Sequence, residues 1–274
     1  MANAVVCVGL NLLIGYAGQI SLGHAAFFAL GGYGSAIASA RWGWPVWLSI
    51  PAAVAAVGAL AWLVGRPTLR LKGHYLAMAT LGFGVIVSIV LGNEDRITGG
   101  PDGMPVPPLA VFGQAVRGEA LWYAIVALAL WLTVLLALNL IDSPIGRALR
   151  ALHGSEVAAT TLGIDAARWK LRVFVISALI AAAAGALMAH HAGFITPARA
   201  SFLHSVELVI MVVFGGMASV WGAVVGAVVL TLLPQFLTVF KDYEMMVFGA
   251  VLIATMVLMP RGVVPTLARL AGRG

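Results

Sequence analysis

The chain has 274 residues, of which 62% are hydrophobic and only 9% are charged, and its formal net charge is +6. Soluble domains carry about 25% charged residues, so this composition excludes an ordinary soluble protein and indicates one that crosses a membrane several times. Lys and Arg collect in the cytoplasmic loops of such proteins, so the net charge is explained without nucleic acid, and we expect no nucleic-acid partner. The single cysteine, Cys7, excludes an intrachain disulfide.

Nine charge-poor runs follow one another along the chain. A membrane helix needs about 20 apolar residues. To within several residues, the runs are 2–18, 24–40, 45–64, 73–92, 120–141, 172–193, 205–221, 222–240 and 245–260. The sequence therefore predicts an all-α polytopic membrane protein with about nine spanning or half-spanning helices, forming one transmembrane domain over residues 1–274.

Two uncharged stretches are interrupted near their middle by glycines and polar residues. The first, residues 1–40, is broken at Gly18–His24, and the second, residues 208–240, is broken at Gly215–Gly222. Broken helices are tolerated at membrane depth only where the freed backbone lines a cavity or is buried in protein. A pair of such interruptions, one in each half of the chain, indicates a transport pathway.

Four polar residues at the breaks are the candidate substrate-pathway residues, namely Gln19, Ser21, His24 and Ser219. Both breaks contain the spacing Gly-x-x-Ser, which favours two pseudo-symmetric halves. Polar groups in hydrocarbon need partners, and a break supplies free backbone groups and space. Two interpretations stay open: contact with a transported substrate, and hydrogen bonding to the backbone of the broken helices. If Ser21 and Ser219 line one pathway, they should approach each other near mid-membrane.

The charges between the runs predict the orientation of the chain. Basic residues dominate Arg66–Lys72, Asp142–Arg172 and the carboxyl-terminal tail, whereas Asn93–Glu119 carries four carboxylates against two arginines. The first three segments, and with them the carboxyl terminus, should face the cytoplasm. The amino terminus would then lie outside. We therefore expect either that a further helix precedes Met1 in related chains or that the start shown here is shortened.

The segment Asp142–Arg172 predicts two short amphipathic helices on the cytoplasmic side. Ser143 and Ser155 stand at the capping positions of these two helices, and Asp165 stands at that of the membrane helix that follows. The second short helix contains Glu156, Ala158 and Ala159 and should end at Gly163 in a left-handed cap. Such a segment can lie in the membrane interface as an anchor or can dock a cytoplasmic partner. Docking is the interpretation we favour.

Several motifs resemble those of a known family. Glu156-x-Ala158-Ala159-x-x-x-Gly163 resembles the motif that permeases of ABC importers insert into their ATPase subunits. Five further segments resemble signatures of the branched-chain amino acid permeases, above all those of the M-type (LivM-like) subunit, and they are residues 9–28, 72–77, 98–103, 143–147 and 215–222. The resemblance extends over nearly the whole chain. One departure is the start, because family members usually have a helix before the segment that begins at residue 9.

This resemblance implies the membrane-spanning permease subunit of an ABC importer for branched-chain or related amino acids in the bacterial inner membrane. The implied partners are a second, H-type permease subunit, two cytoplasmic ATPase subunits and a periplasmic substrate-binding protein. Glu156, Ala158, Ala159 and Gly163 would form the ATPase-coupling segment. The chain itself would be no enzyme and would need no cofactor. The solute stays open, because the same permease family handles urea and other small polar molecules.

Other kinds of chemistry have little support in the sequence. It contains no P-loop, no His-Glu-x-x-His zinc motif and no Gly-x-Ser-x-Gly nucleophile elbow. The neighbours His190 and His191 would point about 100° apart on a helix, so we expect no metal site there. An alternative function is an ion-coupled secondary transporter of a small polar solute, which would use intramembrane carboxylates. Only Glu207 lies at the edge of an apolar run. A non-transporting membrane scaffold is the second alternative.

Overall fold

The computed structural model describes residues 1–69, 71, 73–111, 114–115, 118–237, 249, 253, 259 and 262–270. This part of the chain contains twelve α-helices. They are α1 (Ala2–Asn11), α2 (His24–Ala40), α3 (Val46–Thr68), α4 (His74–Asn93), α5 (Asp95–Thr98), α6 (Glu119–Asp142), α7 (Pro144–Gly154), α8 (Glu156–Thr161), α9 (Ala166–Ala192), α10 (Phe202–Gly215), α11 (Val220–Leu237) and α12 (Val263–Leu270). A π-helical turn, Leu12–Tyr16, continues α1.

The helices confirm the prediction of an all-α polytopic membrane fold. Four of the described helices, α3, α4, α6 and α9, are long and apolar enough to cross a membrane, and α1 with its π-helical turn, α10 and α11 are shorter apolar helices. Eight of the nine predicted runs correspond to these helices and α2. The ninth, 245–260, lies almost wholly outside the described residues. The arrangement helix, break, helix occurs near the start as α1 and α2 and again as α10 and α11.

One helix begins earlier than its run of apolar residues. Hydropathy places the start near residue 172, whereas α9 begins at Ala166. Its first turns carry Arg168, Lys170 and Arg172, which a search for apolar runs rejects. The helix forms there because Asp165 caps it, as the sequence predicts, accepting a hydrogen bond of 3.1 Å from the backbone N–H of Arg168.

Small extended segments close the end of the bundle opposite α7 and α8. β1 (Met104–Pro105) pairs antiparallel with β4 (Phe194–Ile195), and β2 (Ala110–Val111) pairs with β3 (Gln114–Ala115). A 3₁₀ turn, Pro197–Ala200, follows β4 and packs against α2 and α4. These connections join α4 to α6 and α9 to α10, so they lie at the ends of α6 and α9 that are remote from α7 and α8.

The centre of the bundle is built from α1, α2 and α9. In α1 every residue from Ala4 to Asn11 is buried. Buried residues make up 56% of the most apolar part of α9 but only 22% of that of α6, so α9 is central and α6 peripheral. The two parallel helices α2 and α9 approach closely through glycines. A Cβ on Gly185 would overlap the carbonyl group of Phe28, and one on Gly31 would overlap the backbone of Ala182.

Candidate functional site

The first break separates the π-helical turn from α2. Gly18 adopts a left-handed conformation with φ of +66°. The backbone N–H of Gln19 donates to the carbonyl of Leu13 at 3.0 Å, and that of Leu22 donates to Thr80 Oγ1 at 3.0 Å. The break thus packs against α4. It also meets α7, because a Cβ on Gly18 would lie 3.0 Å from His153 Nδ1. Gln19, Ser21 and Gly23 of the break are therefore buried in protein, whereas Gly18 and Ile20 are exposed.

Ser21 and His24 belong to one buried hydrogen-bond chain. His24 Nδ1 lies 2.9 Å from Ser21 Oγ, and His24 Nε2 lies 2.7 Å from Ser177 Oγ in α9. All three side chains are buried. A neutral imidazole has one donor and one acceptor nitrogen, so one hydroxyl donates to the ring and the other accepts from it. In this conformation the hydrogen bonds of the two predicted pathway residues are therefore made to each other and to Ser177 of α9.

Gln19 has different surroundings. Its side chain is only 3% exposed, and neither Nε2 nor Oε1 has a hydrogen-bond partner among the described residues. It lines a cavity of about 140 Å³ together with Leu152, Glu156 and Lys170. The structure therefore separates Gln19 from Ser21 and His24 and places it between the first break and the loop that carries α7 and α8.

The second break is held by residues of α1 and of the π-helical turn that continues it. Asn11 Nδ2 donates to the carbonyl of Ser219 at 2.8 Å, and its Oδ1 accepts from the N–H of Ala218 at 3.0 Å. Tyr16 Oη donates to the carbonyl of Ala218 at 2.6 Å. Ser219 Oγ accepts from the N–H of Gly222 at 3.0 Å and so caps α11. Ser21 and Ser219 consequently belong to different hydrogen-bond networks.

Sequence reasoning missed Asn11, Tyr16 and Ser177, which supply the partners at both breaks. Asn11 is the clearest omission, because it is a polar residue in an otherwise apolar run, and such a residue needs a partner. Ser177 occupies an equivalent position in α9 and is fully buried. A search for polar residues inside apolar runs, rather than only at their interruptions, would have found both.

The loop of residues 142–172, which we call the basic loop, has the predicted caps. Ser143 Oγ accepts from the N–H of Ile145 at 3.1 Å, and Ser155 Oγ accepts from the N–H of Ala158 at 3.3 Å. Gly163 follows α8 with φ of +83°, the left-handed conformation expected of a helix-ending glycine. Two short helices, α7 and α8, therefore form where the sequence predicts them.

The coupling residues named from the sequence divide between two faces of α8. Ala159 is buried against Leu152 and Ala166 in a small apolar cluster, which fixes α8 to α7 and α9. Glu156 pairs with Lys170 Nζ at 2.7 Å, and the Lys170 side chain is only 12% exposed. Ala158 and Gly163 are exposed.

Two large apolar side chains extend this exposed face of the basic loop. Val157 is 72% exposed and Leu162 is 81% exposed. Both side chains are therefore available for contact with a protein or with the membrane surface.

The two neighbouring histidines of α9 point to different partners. His190 is buried between Ser35 Oγ and the carbonyl of Pro107, each at 2.7 Å. The ring of His191 packs against Trp122 with 5.1 Å between centroids. His190 thus ties α9 to α2 and to the connection that follows β1, and the rings do not converge on a common ligand.

Comparison with known proteins decides the family. Residues 1–256 match the family described as the permease component of the branched-chain amino acid transport system. The chain belongs to this family. It is 34% identical to the high-affinity branched-chain amino acid transport permease LivM of Escherichia coli K12, over 97% of this chain and 68% of LivM.

More distant relatives of the same family match almost the full chain. LivH of Escherichia coli K12 is 27% identical and BraD of Pseudomonas aeruginosa is 26% identical, each over 95% of this chain and 90% of the relative. No solved structure matches. The family assignment confirms the resemblance read from the motifs of the breaks and the basic loop, and it makes this chain a permease component rather than an enzyme.

Proposed function

We propose that this chain is the membrane-spanning permease subunit of an ABC importer for branched-chain or related amino acids, forming half of the translocation pathway. The match of residues 1–256 to the permease family carries the proposal. Both LivM and LivH of one bacterium are among its relatives, which supports a pair of permease subunits with this chain as the M-type member. The complex would contain two ATPase subunits and a periplasmic binding protein.

The proposed orientation in the bacterial inner membrane places the basic loop and the carboxyl terminus in the cytoplasm. The loop carries five Arg and Lys residues between positions 147 and 172, an excess typical of cytoplasmic loops. The acidic connection between α4 and α6 lies at the other end of α6 and would face the periplasm, where the binding protein docks. One permease domain, spanning residues 1–274, would contain both surfaces.

The ATPase subunit would dock on α8. This helix exposes Ala158 and the flanking Val157 and Leu162, and it is attached to the bundle through Ala159 and the Glu156–Lys170 ion pair. Lys170 lies in the first turns of α9, the central helix. A displacement of α8 on closure of the ATPase pair would therefore be transmitted to α9 and from there to α2. ATP would bind only to the partner subunits, because this chain has no P-loop.

The pathway residues stay part of the proposal. Ser21 and His24 are enclosed in this conformation, and Ser219 is half-buried, so access of substrate to them requires the breaks to move. Such a switch needs a ligand that binds one state better than the other. An ion-coupled transporter would bind its ion or proton at an enclosed carboxylate, but every carboxylate among the described residues is exposed or half-buried. This favours energy from ATP over coupling to an ion.

The docking surface predicts the effect of a double substitution. The complex with Glu156→Arg and Gly163→Pro should insert normally but lose its coupling, because the new charge opposes Lys170 and proline cannot adopt the left-handed conformation at residue 163. We expect uptake of radiolabelled L-leucine into proteoliposomes to fall by about tenfold or more. Thr160→Ser, a conservative change on the same helix, should leave uptake unchanged.

Two results would contradict the proposal at different levels. Normal co-purification with the ATPase subunits together with normal uptake in the double variant would show that α8 is not the docking site. Failure of the wild-type complex to take up L-leucine or any other branched-chain amino acid with ATP, while it takes up another solute such as urea, would replace the proposed substrate class. Absence of all uptake would contradict a transport function.

A further inference from the structure

A small cavity separates the first break from the basic loop. Its volume is about 140 Å³, and its wall is formed by Gly18 and Gln19 on one side and by Leu152, Glu156 and Lys170 on the other. The cavity therefore lies between the segment that would dock the ATPase subunit and a segment that would gate the pathway. Because Glu156 of α8 forms part of its wall, a displacement of α8 changes the size of this cavity.

The side-chain amide of Gln19 makes no hydrogen bond in this cavity. Gln19 is only 3% exposed, and neither polar atom of its side chain has a hydrogen-bond partner among the described residues. A buried amide without partners is unfavourable, because it has lost its hydrogen bonds to water without replacement. Such groups are rare in native proteins and call for an explanation, often a functional one.

The facing wall of the cavity has spare hydrogen-bonding capacity. Lys170 Nζ makes one described contact, with Glu156 Oε2 at 2.7 Å. An ammonium group has three donors, and a carboxylate can accept several hydrogen bonds. Once the two walls approach, Lys170 can therefore donate a hydrogen bond to the side-chain carbonyl of Gln19, and Glu156 can accept one from the NH₂ group of Gln19. Hydrogen bonds to charged groups are stronger than those between neutral groups.

We propose that Gln19 is a positioning residue that links the movement of α8 to the first break. In the conformation described here its amide is unpaired. When α8 moves towards the bundle, Glu156 and Lys170 pair with the amide, and the break follows because Gly18 permits the backbone to turn. The pairing stabilises only the shifted state, which is the differential interaction that a two-state switch needs. The inference rests on the proposed function, since it assumes that α8 is the segment on which the ATPase acts.

Substitution of Gln19 by leucine separates this role from a structural one. Gln19→Leu removes an unpaired amide from the present conformation and removes its partner interaction from the shifted one. We expect the solubilised complex to melt at the same temperature as wild type or about 2–4 °C higher. In proteoliposomes with the partner subunits and binding protein, L-leucine uptake should fall about fivefold or more while ATP hydrolysis persists.

Four further variants test the inference more closely. Gln19→Asn keeps both the donor and the acceptor of the amide on a side chain one methylene shorter, so it should restore part of the uptake that Gln19→Leu loses. Lys170→Met should lower uptake per ATP hydrolysed, and the Gln19→Leu, Lys170→Met double variant should be no worse than the more severe single variant, as expected for residues that act through one interaction. Ile86→Leu, a change at an exposed position of α4, should leave both activities unchanged.

The outcomes distinguish the inference from the proposed function. An unchanged ratio of uptake to hydrolysis in Gln19→Leu overturns the inference. So does a lower melting temperature of that variant, because it shows that the amide already has partners, such as waters in the cavity, in the resting state; the melting measurement requires no knowledge of the solute. The proposed function, in contrast, is judged on wild type alone, by whether the complex imports L-leucine with ATP.

Discussion

Asn11 connects two parts of the chain that are 208 residues apart in sequence. Its buried amide donates to the carbonyl of Ser219 and accepts from the N–H of Ala218. Ala218 has φ of +59°, a conformation that residues other than glycine adopt reluctantly. The second break therefore depends on contacts from outside its own helices, and Asn11 with Tyr16 supplies them.

Replacement of this amide should weaken the fold measurably. Asn11→Ala leaves the N–H of Ala218 and the carbonyl of Ser219 without their partner, and we expect a total cost of about 1–3 kcal/mol because both hydrogen bonds are partly buried. We expect a lower melting temperature and a lower yield of solubilised protein. Asn3→Ala, on the same helix but only half-buried, is the matched control and should be near neutral. Equal stability of the two variants would show that Asn11 does not hold the break.

Local spacing explains which residues could be assigned from the sequence. Ser143, Ser155 and Asp165 were identifiable as caps because a capping side chain bonds a backbone group two or three residues away. The partners of Asn11 were not predictable, because they belong to the second break, near the other end of the chain. The isolation of Gln19 was equally unpredictable, since an unpaired amide is a property of the surrounding packing.

Close contact between α2 and α9 is the main feature at the scale of elements. These helices contain Gly31 and Gly185 where they approach, and their backbones come together as they do in membrane bundles that use small residues at helix interfaces. Gly185→Ala should therefore be destabilising, because its Cβ would overlap the carbonyl of Phe28 in a helix that cannot shift freely. Overpacking of this kind costs about 1–3 kcal/mol.

A second glycine provides the comparison for this prediction. Gly82 lies within α4, and a Cβ there would meet nothing within 4 Å. Gly82→Ala should be neutral or slightly stabilising, because alanine favours a helix more than glycine does. Melting temperatures of the two variants in detergent test the difference. A Gly185→Ala variant as stable as Gly82→Ala would mean that α2 and α9 separate easily.

Hydropathy predicted the elements better than their ends. Apolar runs located α2, α3, α4 and α6 to within a few residues, because lipid requires continuous apolar segments. The 3₁₀ turn Pro197–Ala200 and the pairing of β1 with β4 gave no such signal. Met104 and Ile195 pair although they are distant in sequence, and a two-residue strand has no periodicity to detect.

The whole molecule presents large apolar surfaces to its surroundings. Only 33%, 28% and 22% of the most apolar parts of α3, α4 and α6 are buried. Exposed side chains on them include Trp62, Leu63, Ile86, Ile89, Leu128 and Trp131. Lipid tails accept such a surface, and so does a second permease subunit, whereas water does not. The lipid bilayer is therefore the first partner of this chain, and the charged loops are confined to its two sides.

The arrangement of charge on the molecule predicts its orientation. Asp102 is exposed in the acidic connection before α6, and Arg150 is exposed in α7 after α6. The two positions thus lie at opposite ends of a helix of 24 residues, which is long enough to cross the hydrocarbon core. Because basic loops stay in the cytoplasm, residue 150 should be cytoplasmic and residue 102 periplasmic.

Single cysteines at these two positions test this orientation. In a Cys7→Ala background, a membrane-impermeant maleimide applied to intact spheroplasts should label Asp102→Cys but should label Arg150→Cys only after the membrane is opened. The parent protein is a suitable control, because Cys7 is fully buried and should react in neither condition. Labelling of both cysteines from the same side would overturn the assignment of the basic loop to the cytoplasm, and α8 would then be unavailable to a cytoplasmic ATPase. The reverse pattern, with only Arg150→Cys accessible from outside, would invert the whole molecule.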